Sequence, residues 1–158
     1  MASAPNNGRI NLSPKGMDAF RVLSENQVAF MNLTGSGNET AAHLNENGRL
    51  TIMFCAFESN PLILRLYGQG RAIHRRDEEW ASFAPMFPEI PGSRNIVLMA
   101  VESVQTSCGF AVPLYDYLGD RDLLTKWAEN RGEAGVEEFW VDNNQESIDG
   151  LPTKLIQD

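Results

Sequence analysis

Arg49-Leu50-Thr51-Ile52-Met53-Phe54-Cys55-Ala56-Phe57-Glu58-Ser59-Asn60-Pro61-Leu62-Ile63-Leu64-Arg65-Leu66-Tyr67-Gly68-Gln69-Gly70-Arg71-Ala72-Ile73 is the stretch that decides the fold. Two strand-like runs, 49–57 and 62–73, flank the link Glu58-Ser59-Asn60-Pro61. Pro presets φ and Asn hydrogen-bonds its own backbone, so both favour a turn there. Strands joined by so short a link pair antiparallel, because a parallel return needs a crossover of a dozen or more residues. The pattern continues on both sides. Arg9–Ser13 alternates, with Ile10 and Leu12 on one face, and Phe20–Leu23 and Gln27–Leu33 flank the hairpin-length link Ser24-Glu25-Asn26. Asn95–Thr106 reads as one long strand through Ile96, Val97, Leu98, Met99, Ala100, Val101 and Val104. About six strands result, mostly joined by short links and therefore antiparallel.

Helices are fewer. Glu39–Glu46 is a short one, ended by Asn47-Gly48 in the manner of a helix C-terminus. Asp77–Phe87 opens with three acids, which suit a helix N-terminus, and carries Trp80, Phe83, Ala84 and Phe87 as an amphipathic stripe. Two more are expected at Asp122–Asn130 and Val136–Asn144. Strands in hairpins with interposed helices make an α+β protein built on a small antiparallel barrel, which removes exposed sheet edges. The 158 residues suit one domain. Residues 1–8 read as an unstructured lead-in, 9–152 as the domain, and 153–158 as a tail.

The net charge is −8, which argues against nucleic acid or an anionic membrane as partner, since both need a basic face. The charge is uneven: residues 1–100 carry nine acids and nine bases, and residues 101–158 carry twelve acids and four bases. A small anionic ligand is therefore sought in the first hundred residues. No apolar run reaches the ~18 residues of a membrane span, and the first residues lack the basic and apolar regions of a signal peptide. Cys55 and Cys108 have no zinc or disulfide spacing and read as free thiols of a cytoplasmic protein. His43 and His74 are not spaced as metal ligands, so no metal site is expected.

Two segments carry chemistry. In Arg9-Ile10-Asn11-Leu12-Ser13-Pro14-Lys15-Gly16, Pro14 cannot donate to a ladder and Gly16 permits a tight turn. Ser13 and Lys15 are thus presented at a strand end, where a hydroxyl beside an ammonium can grip a phosphate. A plain strand-to-turn boundary with a solvated lysine would look the same. In Asn32-Leu33-Thr34-Gly35-Ser36-Gly37-Asn38-Glu39-Thr40, a Gly/Ser/Thr loop runs into a helix start, where backbone N–H groups can receive an anion. Ser36, Asn38 and Thr40 add short polar side chains. The alternative is plain capping by Asn38 or Ser36. Arg65 and Arg71 share one face of their strand and point at a ligand or at solvent; Arg75-Arg76 reads as a surface charge cluster. No protein acid or base stands out, so catalytic residues are unassigned and hard chemistry would be a cofactor's.

Taken in order, Ser13-Pro14-Lys15-Gly16, Thr34 to Leu44, Gly48 to Phe54, Leu64 to Gly70, Val104 to Gly109 and Ser147-Ile148-Asp149-Gly150-Leu151-Pro152 resemble the pyridoxamine 5'-phosphate oxidase-like family of FMN-binding split barrels. The resemblance spans about residues 9–152 and is to a broad branch of the family. It implies an antiparallel split β-barrel with short flanking helices, a homodimer, one FMN per subunit, and a small-molecule substrate. By position it carries Asn11, Leu12, Ser13 and Lys15 onto the family's strand contacts with FMN, and Ser36, Asn38 and Thr40 onto those at the helix start. Three departures stand out. Glu39 and Thr40 replace an Arg-Lys pair, Ile63 replaces a glutamine, and the C-terminal basic substrate contacts have no match in 143–152. They argue against pyridoxamine phosphate oxidase activity itself. The chain also looks short at the front, without the usual helix and first strand. The reading is an FMN-dependent oxidoreductase, with a non-catalytic flavin- or ligand-binding dimeric module and a deazaflavin-dependent reductase as the alternatives.

Overall fold

The computed structural model describes residues 1–156. Its strands are β1 (Ala2–Ser3), β2 (Asn11–Leu12), β3 (Phe20–Ser24), β4 (Gln27–Leu33), β5 (Arg49–Cys55), β6 (Ile63–His74) and β7 (Ser93–Ser107). Its helices are α1 (Glu39–Glu46), α2 (Trp80–Phe83), followed by a 3-10 turn at Ala84–Met86, and α3 (Leu123–Asn143). All strands join one sheet in the order β2-β1-β5-β6-β7-β4-β3, and every pairing is antiparallel. The protein is an α+β split barrel.

The β5–β6 hairpin forms over the opening stretch, from Arg49↔Gln69 to Cys55↔Ile63. Long β6 and β7 then pair from Ile63↔Ser107 to His74↔Asn95. Burial divides β7 in two. Ser93–Met99 is fully buried, and the strand from Glu102 to Ser107 is exposed on both faces. The core lies under the first half, where Ile73, Ile96, Val97 and Met99 meet Ala29, Phe30 and Met31 of β4. Each such large aliphatic contributes roughly 1.5–3 kcal/mol by leaving water.

Four expectations need correction. Residues 1–8 are not an unstructured lead-in: Ala2–Ser3 pairs with both β2 and β5, and Met1, Ser3 and Pro5 are buried. Two paired residues are too few for any period to show, which hid this strand. It occupies the front place that looked empty. The helix expected over Asp77–Phe87 shrinks to α2 and the 3-10 turn, because Pro85 has no N–H to continue an α-helix. Residues 153–155 are not a loose tail. Thr153 and Leu155 are buried, and the Arg76 guanidinium donates to the carbonyls of Lys154 and Leu155. Arg75-Arg76 is likewise more than a surface cluster, since Arg75 donates to the Ser93 carbonyl at 2.6 Å and stacks over Trp140 at 5.1 Å.

The two helices expected near the C-terminus are the two arms of α3, separated at Gly132, whose φ of 68° and ψ of 171° are not helical. Their buried residues Ala128, Val136 and Trp140 form a second small core with Leu155.

At Gly68 the β6–β7 register slips by one residue, from Tyr67↔Ser103 to Gly68↔Val101. A Cβ on Gly68 would lie 1.9 Å from the Ala100 carbonyl oxygen. Gly68→Ala should therefore lower the urea midpoint by an amount worth about 1–3 kcal/mol. Gly16→Ala, with nothing within 4 Å of the new Cβ, should leave it unchanged. Equal midpoints for the two variants would refute the close approach.

Candidate functional site

The two segments singled out in the sequence face each other across one cavity of about 890 Å3. Asn11, Leu12, Ser13 and Lys15 line one wall, and Ser36, Asn38 and Thr40 the other. The segments are joined where the Asn11 amide donates to Thr40 Oγ1 at 3.1 Å. β2 stops after Leu12 because Pro14 ends the ladder, and this turns Ser13 and Lys15 toward the cavity. The volume is in the range of small-molecule sites.

The Lys15 ammonium donates to Asn32 Oδ1 at 3.1 Å, and the Asn32 amide donates on to Asn95 Oδ1 at 2.9 Å. It also lies 5.6 Å from the Phe30 ring centroid. Lys15 is exposed as a whole residue, but its charged end is taken out of bulk water here. Desolvation first, and the nearby Arg94 charge second, pull its pKa down to about 8.

The opposite wall decides between the two readings of the glycine loop. Asn38 stands at the N-cap of α1, yet its side chain makes no capping hydrogen bond. It is 2% exposed, and both its amide atoms are buried without a partner among the described residues. Simple capping therefore does not account for Asn38, and an unpaired buried amide costs about 1–3 kcal/mol. Glu39, also on the cavity wall, accepts from the Ile148 N–H at 3.0 and 3.2 Å. It also lies 4.0 Å from Nε2 of His43, whose Nδ1 meets Ser3 Oγ at 3.0 Å.

Sequence reasoning missed Arg94 and the C-terminal rim. Arg94 lines the cavity from the start of β7 and is 2% exposed. Its Nη1 donates to the Gly37 carbonyl at 3.0 Å and to Asn144 Oδ1 at 2.5 Å, while its Nε has no partner among the described residues. The one signal was a charged residue two positions before the apolar run Ile96–Ala100. Glu146, Ser147 and Ile148 close the rim, secured by an ion pair of Arg9 with Asp149. Ile10, Leu12 and Ile148 leave aliphatic surface at the mouth. Arg65 and Arg71 do not reach the cavity: Arg65 donates to Ser107 Oγ and Arg71 pairs with Glu79. Among the described residues, no group of three or more His, Cys, Asp or Glu could hold a metal ion, and no helix is long and apolar enough to cross a membrane.

The family model described as pyridoxamine 5'-phosphate oxidase matches residues 1–108. The chain belongs to the pyridoxamine 5'-phosphate oxidase family. A curated family member, the pyridoxamine 5'-phosphate oxidase family protein ustO of Aspergillus flavus, is 41% identical over 172 aligned positions. That alignment covers 96% of this chain and 68% of ustO. Among solved structures, HupZ of Group A Streptococcus superposes with a TM-score of 0.53 at 18% identity, over 68% of this chain and 82% of HupZ. A point variant of HupZ gives the same TM-score at 19% identity, over 67% and 86%. This likeness to HupZ bears on the fold alone. The family match covers both cavity walls, from β2 through the loop before α1, together with Arg94.

A pKa near 8 leaves about half of Lys15 neutral at pH 8, against about 0.3% of an ordinary lysine. An amine-acylating reagent at that pH should therefore modify Lys15 ahead of Lys126 and Lys154, as peptide mapping would read. Equal rates at the three lysines would mean that the Lys15 ammonium is fully solvated.

Proposed function

We propose that this family member is an FMN-binding oxidoreductase acting on a small organic molecule, with FMN held in the cavity between β2 and the 34–40 loop. The observation that carries the reading is the convergence of Lys15 and the partnerless Asn38 on one cavity with an aliphatic mouth. Such a site suits an amphiphilic phosphate ester. The phosphate meets Lys15, the hydroxyls of Ser13, Ser36 and Thr40, and the N–H groups at the α1 start. Ile10 and Leu12 at the mouth would supply apolar surface for the flat ring. Bound flavin would supply the electron transfer, and this chain's own residues bind and orient it.

The working form is a homodimer, as is common in this fold. A second copy would cover the apolar side chains that β5 and β7 expose beyond the core, among them Met53, Phe54 and Val104. Pyridoxamine phosphate itself is not the substrate of this reading, because the basic groups that would hold its phosphate have no counterpart in 143–152.

Purified protein should be yellow or turn yellow with added FMN, and fluorescence titration should give a micromolar or tighter Kd. Lys15→Ala should weaken FMN binding by about ten- to a hundredfold, since one charge-assisted hydrogen bond is worth ~1.5–3 kcal/mol. Colourless protein that ignores micromolar FMN would sink the proposal. Repeated reduction and reoxidation of bound flavin with consumption of a donor separates an oxidoreductase from a non-catalytic flavin-binding module.

A further inference from the structure

We infer that Arg94 is the second cation of the anion subsite, reaching from β7 into the loop before α1 to hold the ligand's phosphate together with Lys15. The inference rests on the flavin reading for the identity of the ligand, but its argument is independent of it. Arg94 is 2% exposed and has no carboxylate within ion-pairing distance among the described residues. Burial pulls its pKa down to about 9, which still leaves it charged at neutral pH. A buried cation without a counter-ion is costly, and the Gly37 carbonyl and Asn144 Oδ1 offset that cost only in part.

Three further observations place that anion in the cavity. The charge of Arg94 is felt at Lys15, so two cations face one space and repel each other until something negative separates them. Of the acids on the cavity wall, Glu39 is tied to the Ile148 N–H, and neither it nor Glu146 pairs with Arg94 or Lys15. The partnerless polar atoms of Arg94 Nε and both amide atoms of Asn38 belong to residues that line this cavity. A phosphate is the matching guest: it brings two negative charges and acceptor oxygens for a guanidinium fork, an ammonium and an amide.

The arrangement also resolves the odd chemistry of the α1 start, where Glu39 and Thr40 provide no positive charge. The loop need carry no cation of its own because Arg94 is already bonded to its Gly37 carbonyl. The cation is supplied by a residue 57 positions away in the chain.

The test compares FMN with riboflavin, which lacks the phosphate, on the full chain. Wild type should bind FMN more tightly than riboflavin. Arg94→Met should lose about ten- to a hundredfold more in FMN affinity than in riboflavin affinity, because one charge-assisted contact is worth ~1.5–3 kcal/mol. Arg94→Lys should recover part of the difference. A parallel loss for both flavins, or an unchanged FMN-to-riboflavin ratio, would overturn the inference while leaving the flavin reading intact. If Arg94→Met does not fold, the ratio measured on Arg94→Lys decides in the same way. Sulfate at constant ionic strength is the flavin-free probe. If wild type binds neither flavin, sulfate should still raise its Tm, and Arg94→Lys should blunt that rise. That outcome upholds the anion subsite and ends the flavin reading; no sulfate effect in wild type ends both.

Discussion

The loop from Thr34 to Asn38 has no strand beside it, and its shape depends on side chains that reach in from distant elements. Arg94 Nη1 holds the Gly37 carbonyl, and the Asn144 amide holds the Gly35 carbonyl at 3.1 Å. Thr34 is tied twice to Gly92, through its backbone N–H at 2.8 Å and its hydroxyl at 2.7 Å. The Trp140 indole N–H then reaches the same hydroxyl at 2.8 Å. A loop rich in glycine loses much conformational entropy on ordering, of the order of 1–2 kcal/mol per residue, so it needs this many anchors. Because the anchors come from β7 and the end of α3, the shape of this cavity wall depends on the docking of the barrel and the C-terminal segment.

That dependence explains why the C-terminal third, poor in bases, matters to a site built in the first hundred residues. Of its acids among the described residues, Glu146 alone lines the cavity. Five of them, Glu129, Glu133, Glu137, Glu138 and Asp142, lie exposed on α3, and Asp149 is drawn to Arg9 at the rim. The backbone N–H of Arg9 and its guanidinium both favour the ionised carboxylate and hold the Asp149 pKa below the usual carboxylate range. The acid surplus of the chain is thus compatible with a locally cationic pocket, because charge is sorted by tertiary contacts rather than by position in the sequence. The buried Asn144 is the hinge of that sorting: it accepts from Arg94, donates to Gly35, and its carbonyl accepts from the Thr153 hydroxyl.

The strands were the legible part of the fold. A hairpin such as 49–73 carries its own turn chemistry and its own apolar run, and it pairs as read. The α3 arms were legible as well, since Trp127, Ala128, Val136, Phe139 and Trp140 recur at helical spacing. Short elements were not. β1 is two residues long and has no period to read. The 77–87 stripe looked helical because its apolar spacing does fit a helix, yet Pro85 limits what the backbone can do. The cavity walls were legible through strand breakers and small polar residues, which announce a turn locally.

Local chemistry therefore determined which segments of this protein become strands, and which two of them carry groups able to meet an anion. Hydrogen-bonding propensity, turn residues and hydrophobic period all act within a few residues, so they can be read along the chain. The tertiary structure alone decided that those segments face each other across one cavity, that residues 1–5 and 153–155 are packed rather than loose, and that Arg94 shares the cavity with Lys15. These are contacts between residues tens of positions apart. Burial without a counter-ion is a property of what surrounds a side chain, and no pattern in its immediate neighbours encodes it.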